Sequence, residues 1–177
     1  RDRVDAGIMR IEQKLLRSQK STDKVNKRSS ASLKGTMSLD DFAESDMVVE
    51  AIPEEIGLKK KVFNMLDRIC KESVILGTNT SSLSIIDIAS ATQRMEKVIG
   101  IHFFPPVERM PIIEISKSIA TEEDVVERVR AFGESLGLEV LVTKDYPAFV
   151  VNNIVGPMML QGVRILEKGL ASAKEID

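Results

Sequence analysis

The sequence predicts an α/β fold in which a parallel sheet is covered by helices on both faces. Short apolar runs of strand length alternate along the chain with longer amphipathic segments. The runs are continuous rather than alternating, as strands buried on both sides require. A third observation gives the sheet a functional end: Glu54, Ser81 and His102 each fall at or just after an apolar run, and in open sheets of this kind ligands gather beyond the carboxyl ends of the strands.

Taken in order, Val4, Ile8, Ile11 and Leu15 recur with helical spacing, which predicts an amphipathic helix over 3–17, entered before the sequence begins. Residues 18–32 are polar and rich in Lys, Ser and Asn, a solvated connection. A short helix is expected from Ser38, then a strand over 46–52. Pro53 and Glu54 open a helix over 54–70, whose Lys59, Lys60 and Lys61 read as its wet face. Residues 73–78 form the next strand, 84–91 a short helix, 97–103 and 112–115 two further strands. A helix over 122–136 has Thr121 as its N-cap and Gly137 as its stop. A strand over 138–142 follows, and after Pro147 a long helix over 148–168 ends at Gly169, with Met158 and Met159 expected in core or interface packing.

Composition narrows the function classes. A chain of 177 residues, 43% of them hydrophobic, can bury a sizeable core. Its net charge of -2 gives no electrostatic footprint for nucleic acid or for an anionic membrane surface. No apolar stretch reaches the roughly 20 residues of a membrane span. Cys70 is the sole cysteine, so no intrachain disulfide and no cysteine-rich metal site is expected, which fits a reducing compartment such as the cytoplasm.

The chemistry centres on His102, the sole histidine, whose side-chain type is the one best suited to move a proton near neutral pH. Glu114 lies downstream as a carboxylate able to orient it, with Ser81 upstream in Asn-Thr-Ser-Ser and Asn152 further on in Phe-Val-Val-Asn. Ser81, His102 and Glu114 also imitate a hydrolase triad. The G-x-S-x-G elbow is absent, however, and the order Ser, His, Glu is not that of the α/β-hydrolases.

In this order and spacing, Val-Val-Glu-Ala-Ile, Asn-Thr-Ser-Ser-Leu, Gly-Ile-His-Phe-Phe-x-Pro-Val, Glu-Ile and Phe-Val-Val-Asn make the chain resemble the 3-hydroxyacyl-CoA dehydrogenase family, from about Leu39 to the C-terminus and more loosely through the first helix. The resemblance implies an NAD-dependent oxidoreductase of fatty-acid metabolism, active in β-oxidation, that oxidises the 3-hydroxyl of an acyl-CoA thioester. It implies His102 as general base, Glu114 as its orienting carboxylate, and Ser81 and Asn152 as substrate contacts. Ala51, Glu54, Lys59 and Ser81 would lie beside the NAD cofactor, with no metal. It further implies a homodimer or a part of a multifunctional enzyme, in the cytoplasm or in a mitochondrial or peroxisomal matrix.

The same resemblance divides the chain. Residues 1–146 would be the later part of a Rossmann-like NAD-binding domain whose first βαβ unit is missing, since no G-x-G-x-x-G occurs, and residues 147–177 would open an all-α C-terminal domain. An internal fragment, unstable and inactive by itself, is the expectation. Three residues depart from the family pattern: Pro105 stands for a small polar residue, Asn153 for Arg and Ala148 for Gly. Pro105 and Asn153 keep open a non-catalytic, crystallin-like relative as an alternative. A dehydrogenase of another hydroxy acid is a second, disfavoured because those enzymes use lysine as the base.

Overall fold

A computed structural model describes residues 2–19, 33–107 and 109–177; the expected polar connection lies almost wholly outside them. Helix α1 (Asp2–Gln19) comes first, then a 3-10 turn Leu39–Phe42 capped by the Ser38 hydroxyl, strand β1 (Met47–Glu50), helix α2 (Ile56–Ile69) and strand β2 (Ile75–Thr78). Helix α3 (Ile85–Ala89) and a 3-10 turn Met95–Lys97 lead into β3 (Val98–Phe103) and β4 (Ile112–Lys117). Helix α4 (Glu123–Ser135), strand β5 (Glu139–Lys144), helix α5 (Val151–Glu167) and the short α6 (Ala173–Ile176) complete the chain. The last of these had no counterpart in the sequence reading.

The five strands form one sheet in the order β1-β2-β3-β4-β5. The pairs β1–β2, β2–β3 and β4–β5 are parallel, but β3 and β4 run antiparallel, which corrects the expectation of a wholly parallel sheet. The eight residues 104–111 between β3 and β4 are too few for a parallel crossover, which takes a dozen or more.

Alternation along the strands sorts the core into two layers. Ile75, Ile99, Ile101, Ile113 and Ile115 point to one face, where Val125, Val126 and Val129 of α4 cover them. Val48, Leu76 and Val98 point to the other, under Phe63 and Leu66 of α2, Ile85 and Ile88 of α3, and Phe149. On this second face the pleat also places Glu50, Thr78, His102, Glu114 and Ser116, all buried. The apolar patterning of the strands thus leaves room for one polar strip across one side of the sheet.

Several local expectations change in detail. Thr121 does not cap α4: Glu122 occupies that place without a side-chain bond, and the Thr121 hydroxyl instead donates to Val98 O. Gly137, at φ 77, does end the helix in the left-handed conformation that glycine adopts without steric cost. Helix α5 begins at Val151 rather than 148 because Ala148 and Phe149 have φ of 62 and 51, outside any right-handed helix. No residue of α5 is buried, and Met158 and Met159 are 64% and 67% exposed, so they are not core residues of this chain. Among the described residues no helix is long and apolar enough to cross a membrane.

Candidate active site

His102 and Glu114 are direct cross-strand partners in the antiparallel β3–β4 pair. Their side chains rise from the same face of the sheet, and Nδ1 of His102 lies 3.3 Å from Oε2 of Glu114. Twelve residues of sequence separation become one hydrogen bond through strand register alone. Both are buried, the glutamate completely and the histidine to 6% exposure. The imidazole packs near two aromatic rings, with centroids 4.3 Å from Phe104 and 6.0 Å from Phe149.

A buried carboxylate is costly unless its oxygens are paired. The second oxygen of Glu114 accepts the backbone N–H of Val150 at 2.8 Å and of Val151 at 3.3 Å. These are the amides of the N-cap and first residue of α5, a position that favours negative charge. One oxygen therefore belongs to the helix and the other to the imidazole. With Glu114 accepting from Nδ1–H, Nε2 carries the free lone pair.

The turn after β2 supplies the next groups. Glu54 Oε1 gathers Thr80 and Ser82 hydroxyls and the backbone N–H groups of Ser81 and Ser82, the latter two at 2.9 and 3.2 Å. The Ser81 hydroxyl also reaches Glu54, at 3.4 Å, and not His102, so no hydrolase triad is assembled. Burial alone would raise the Glu54 pKa, but the donors from Thr80, Ser81 and Ser82 together with the Lys59 charge outweigh it and hold the carboxyl below its ordinary value. Ser81 O accepts Nδ2 of Asn152 at 2.9 Å, and Ser82 O accepts the N–H of Ala148, so the structure brings Ser81 and Asn152 together. Asn79 closes the same corner by accepting the Phe103 N–H at 2.9 Å.

Lys59 is not on the wet face of α2. It is 1% exposed, and its ammonium donates to Glu50 Oε1 at 2.7 Å and Ile52 O at 3.3 Å while lying 3.4 Å from Glu54 Oε2. Glu50 also accepts the Thr78 hydroxyl at 2.7 Å. Ala51 and Glu54, by contrast, are open to solvent at the end of β1. A carboxylate held ionised in an exposed position is an acceptor suited to the hydroxyls of a ribose, the donors a dinucleotide would bring there. Among the described residues no cluster of ligands for a metal ion exists.

Sequence reasoning overlooked Glu50, Asn79, Phe149 and Asp145. Asp145 takes the Ile85 and Ile86 N–H groups at 2.9 and 2.8 Å and the Ser84 hydroxyl at 3.0 Å, capping α3 from 60 residues away. Glu50 had a signal: an acidic residue closing an apolar strand, followed nine residues later by a lysine on the next helix. Asn79 stood within a motif already singled out.

A family model described as 3-hydroxyacyl-CoA dehydrogenase, NAD binding domain, matches residues 1–146. The chain is 42% identical over 142 residues to a 3-hydroxybutyryl-CoA dehydrogenase of Clostridioides difficile, covering 80% of this chain and 50% of that protein. It is 35% identical to a second 3-hydroxybutyryl-CoA dehydrogenase, from Bradyrhizobium diazoefficiens, over 99% of this chain and 61% of the relative. In structure it superimposes on the (S)-3-hydroxybutyryl-CoA dehydrogenase PaaH1 of Ralstonia eutropha with a TM-score of 0.89 at 37% identity, covering 98% of this chain and 62% of that one. The chain thus spans from half to about three fifths of the length of the relatives it matches.

Proposed function

The chain belongs to the 3-hydroxyacyl-CoA dehydrogenase family, and from that premise we propose that it acts in the oxidation of the 3-hydroxyl of a 3-hydroxyacyl-CoA to the 3-oxo thioester. The single observation that carries this reading is the buried pair of His102 and Glu114, 3.3 Å apart, with Nε2 left free. Removing hydride from a carbinol carbon builds positive charge there unless the hydroxyl proton also leaves, so a base within hydrogen-bond reach is required. His102 Nε2 takes that proton. Glu114 Oε2 holds Nδ1–H in the right tautomer and balances the imidazolium that forms.

NAD, when bound, supplies the hydride acceptor. For this chain's part, Ala51 and Glu54 form the edge on which a ribose would lie, with Glu54 accepting from its hydroxyls. Lys59 acts from beneath, through Glu54. The Ser81 hydroxyl and the Asn152 amide orient the reacting oxygen or the thioester carbonyl, which confines the carbinol carbon to one approach. Phe104 and Phe149 keep water from the imidazole. Residues 1–146 serve the cofactor side, and the apolar, exposed surface of α5 supports reading 147–177 as the opening of a helical domain that packs against further helices or a second subunit.

The test is oxidation of NADH by acetoacetyl-CoA, followed by absorbance. Turnover is expected of the full-length protein, and His102→Gln is expected to lower it by roughly 10²- to 10⁴-fold, the usual contribution of a general base. Unchanged turnover in that variant would refute the role assigned to His102.

A further inference from the structure

Two consecutive non-glycine residues, Ala148 at φ 62 and Phe149 at φ 51, occupy the left-handed region that side chains disfavour. Such outliers persist only where the surroundings over-determine them, and they gather at functional sites. The surroundings are visible here. The Ala148 N–H is held by Ser82 O at 3.3 Å and the Phe149 N–H by Tyr146 O at 2.9 Å. The Asn153 side chain donates to Pro147 O at 2.8 Å and to Phe149 O. The Phe149 ring is buried in the α2–α3 layer.

The apolar pattern alone would start α5 at 148. In that case its unpaired amides would belong to the first residues of that longer helix. The left-handed pair delays the helix, so that the free N–H groups are those of Val150 and Val151, and both point at Glu114 Oε1. The same two residues set the Phe149 ring 6.0 Å from the imidazole.

We infer that the left-handed turn at Ala148 and Phe149 is a positioning device for the base: it aims the N-cap and first amides of α5 at one oxygen of Glu114, which leaves the other oxygen fixed on Nδ1 of His102. Ala148 and Asn153 are then positioning residues. The inference rests on the reading of His102 as a base, but its first link is structural and can be read without turnover.

The experiment compares Ala148→Val, which a β-branched side chain makes hostile to positive φ, with Ala148→Gly, which accepts it freely. Asn153→Ala, which releases the turn without altering position 148, is the second route should the valine variant fold poorly. Each is studied as the full-length protein by acetoacetyl-CoA kinetics and by ¹⁵N NMR of the His102 imidazole, assigned by the loss of its signals in His102→Gln, which reports which ring nitrogen carries the proton. Ala148→Val is expected to lower kcat ~10- to 100-fold, the scale of a misplaced catalytic group, with KM little changed and the Nδ1–H tautomer depleted. Asn153→Ala shifts both in the same direction, and Ala148→Gly keeps both at the parental values.

A parental imidazole spectrum in both Ala148→Val and Asn153→Ala would overturn the inference. So would a kcat loss that vanishes once the folded fraction is accounted for. Absence of turnover in the parent protein would instead overturn the proposed function, and the tautomer comparison would then decide the positioning role alone.

Discussion

Lys59 illustrates how one residue can mislead a reading of sequence. Three consecutive lysines on an amphipathic helix normally face water, yet the first of them is folded under the end of β1 and paired with Glu50. Helical geometry permits this because Lys59 shares a face with Phe63 and Leu66, both buried, at spacings of four and seven. Removing the ammonium would leave Glu50, with a side chain only 2% exposed, as an uncompensated buried charge. Lys59→Met is therefore expected to cost about 3–5 kcal/mol, and adding Glu50→Gln to recover most of it; urea unfolding of both variants would measure the difference.

Glu54 gives a pH dependence of definite sign. Its carboxyl pKa is lowered in the folded protein, so it contributes stability that is present above the unfolded value of roughly pH 4.3 and is lost as pH falls through the folded one. Thermal melts between pH 6 and 3, on the order of that window, should fall less steeply in Glu54→Gln than in the parent. Equal slopes would mean that the Thr80–Ser82 donors do not discriminate the ionised form.

At the scale of elements, the sequence located all five strands to within a few residues because each is a compact apolar run between turn residues. The direction of β4 was missed, although the spacing held the answer: a prolyl-rich connection of eight residues, 104–111, admits only a reversal. The start of α5 was illegible for another reason. Nothing in the apolar periodicity marks Ala148 and Phe149 as left-handed, since that conformation is imposed by partners at Ser82, Tyr146 and Asn153. Helix α3 depends on a remote partner too. Five residues are too short to persist alone, and Asp145 satisfies two of its first amides. Asp145→Ala is expected to destabilise the protein by about 1–3 kcal/mol, the cost of leaving such donors unpaired; hydrogen exchange of the 84–89 segment should rise before that of α4.

Across the whole molecule, the pairing of His102 with Glu114 was legible, but its polar surroundings were not. The pleat collects Glu50, Thr78, His102, Glu114 and Ser116 on one face, and a sequence shows that face only once the register is known. The same face is closely packed. A Cβ on Gly100 would come within 2.9 Å of Ile85 Cδ1 and 3.1 Å of Ser116 Cβ, wedging α3 from the sheet. Gly100→Ala is therefore expected to cost roughly 1–3 kcal/mol, as overpacked cores do, measurable as a lowered denaturation midpoint with an unchanged m-value.

The cross-strand pairing of His102 with Glu114 has a consequence for how such a protein can vary. Past Phe104, which packs on the imidazole, the connection between their strands can lengthen or shorten with little effect on the pair, because it alters neither strand's alignment. One residue inserted inside β3 or β4 would instead rotate every later side chain to the opposite side, leaving imidazole and carboxylate on different surfaces of the sheet. Tolerance to insertions should therefore change abruptly at Phe104 and Ile112, the bounds of that stretch.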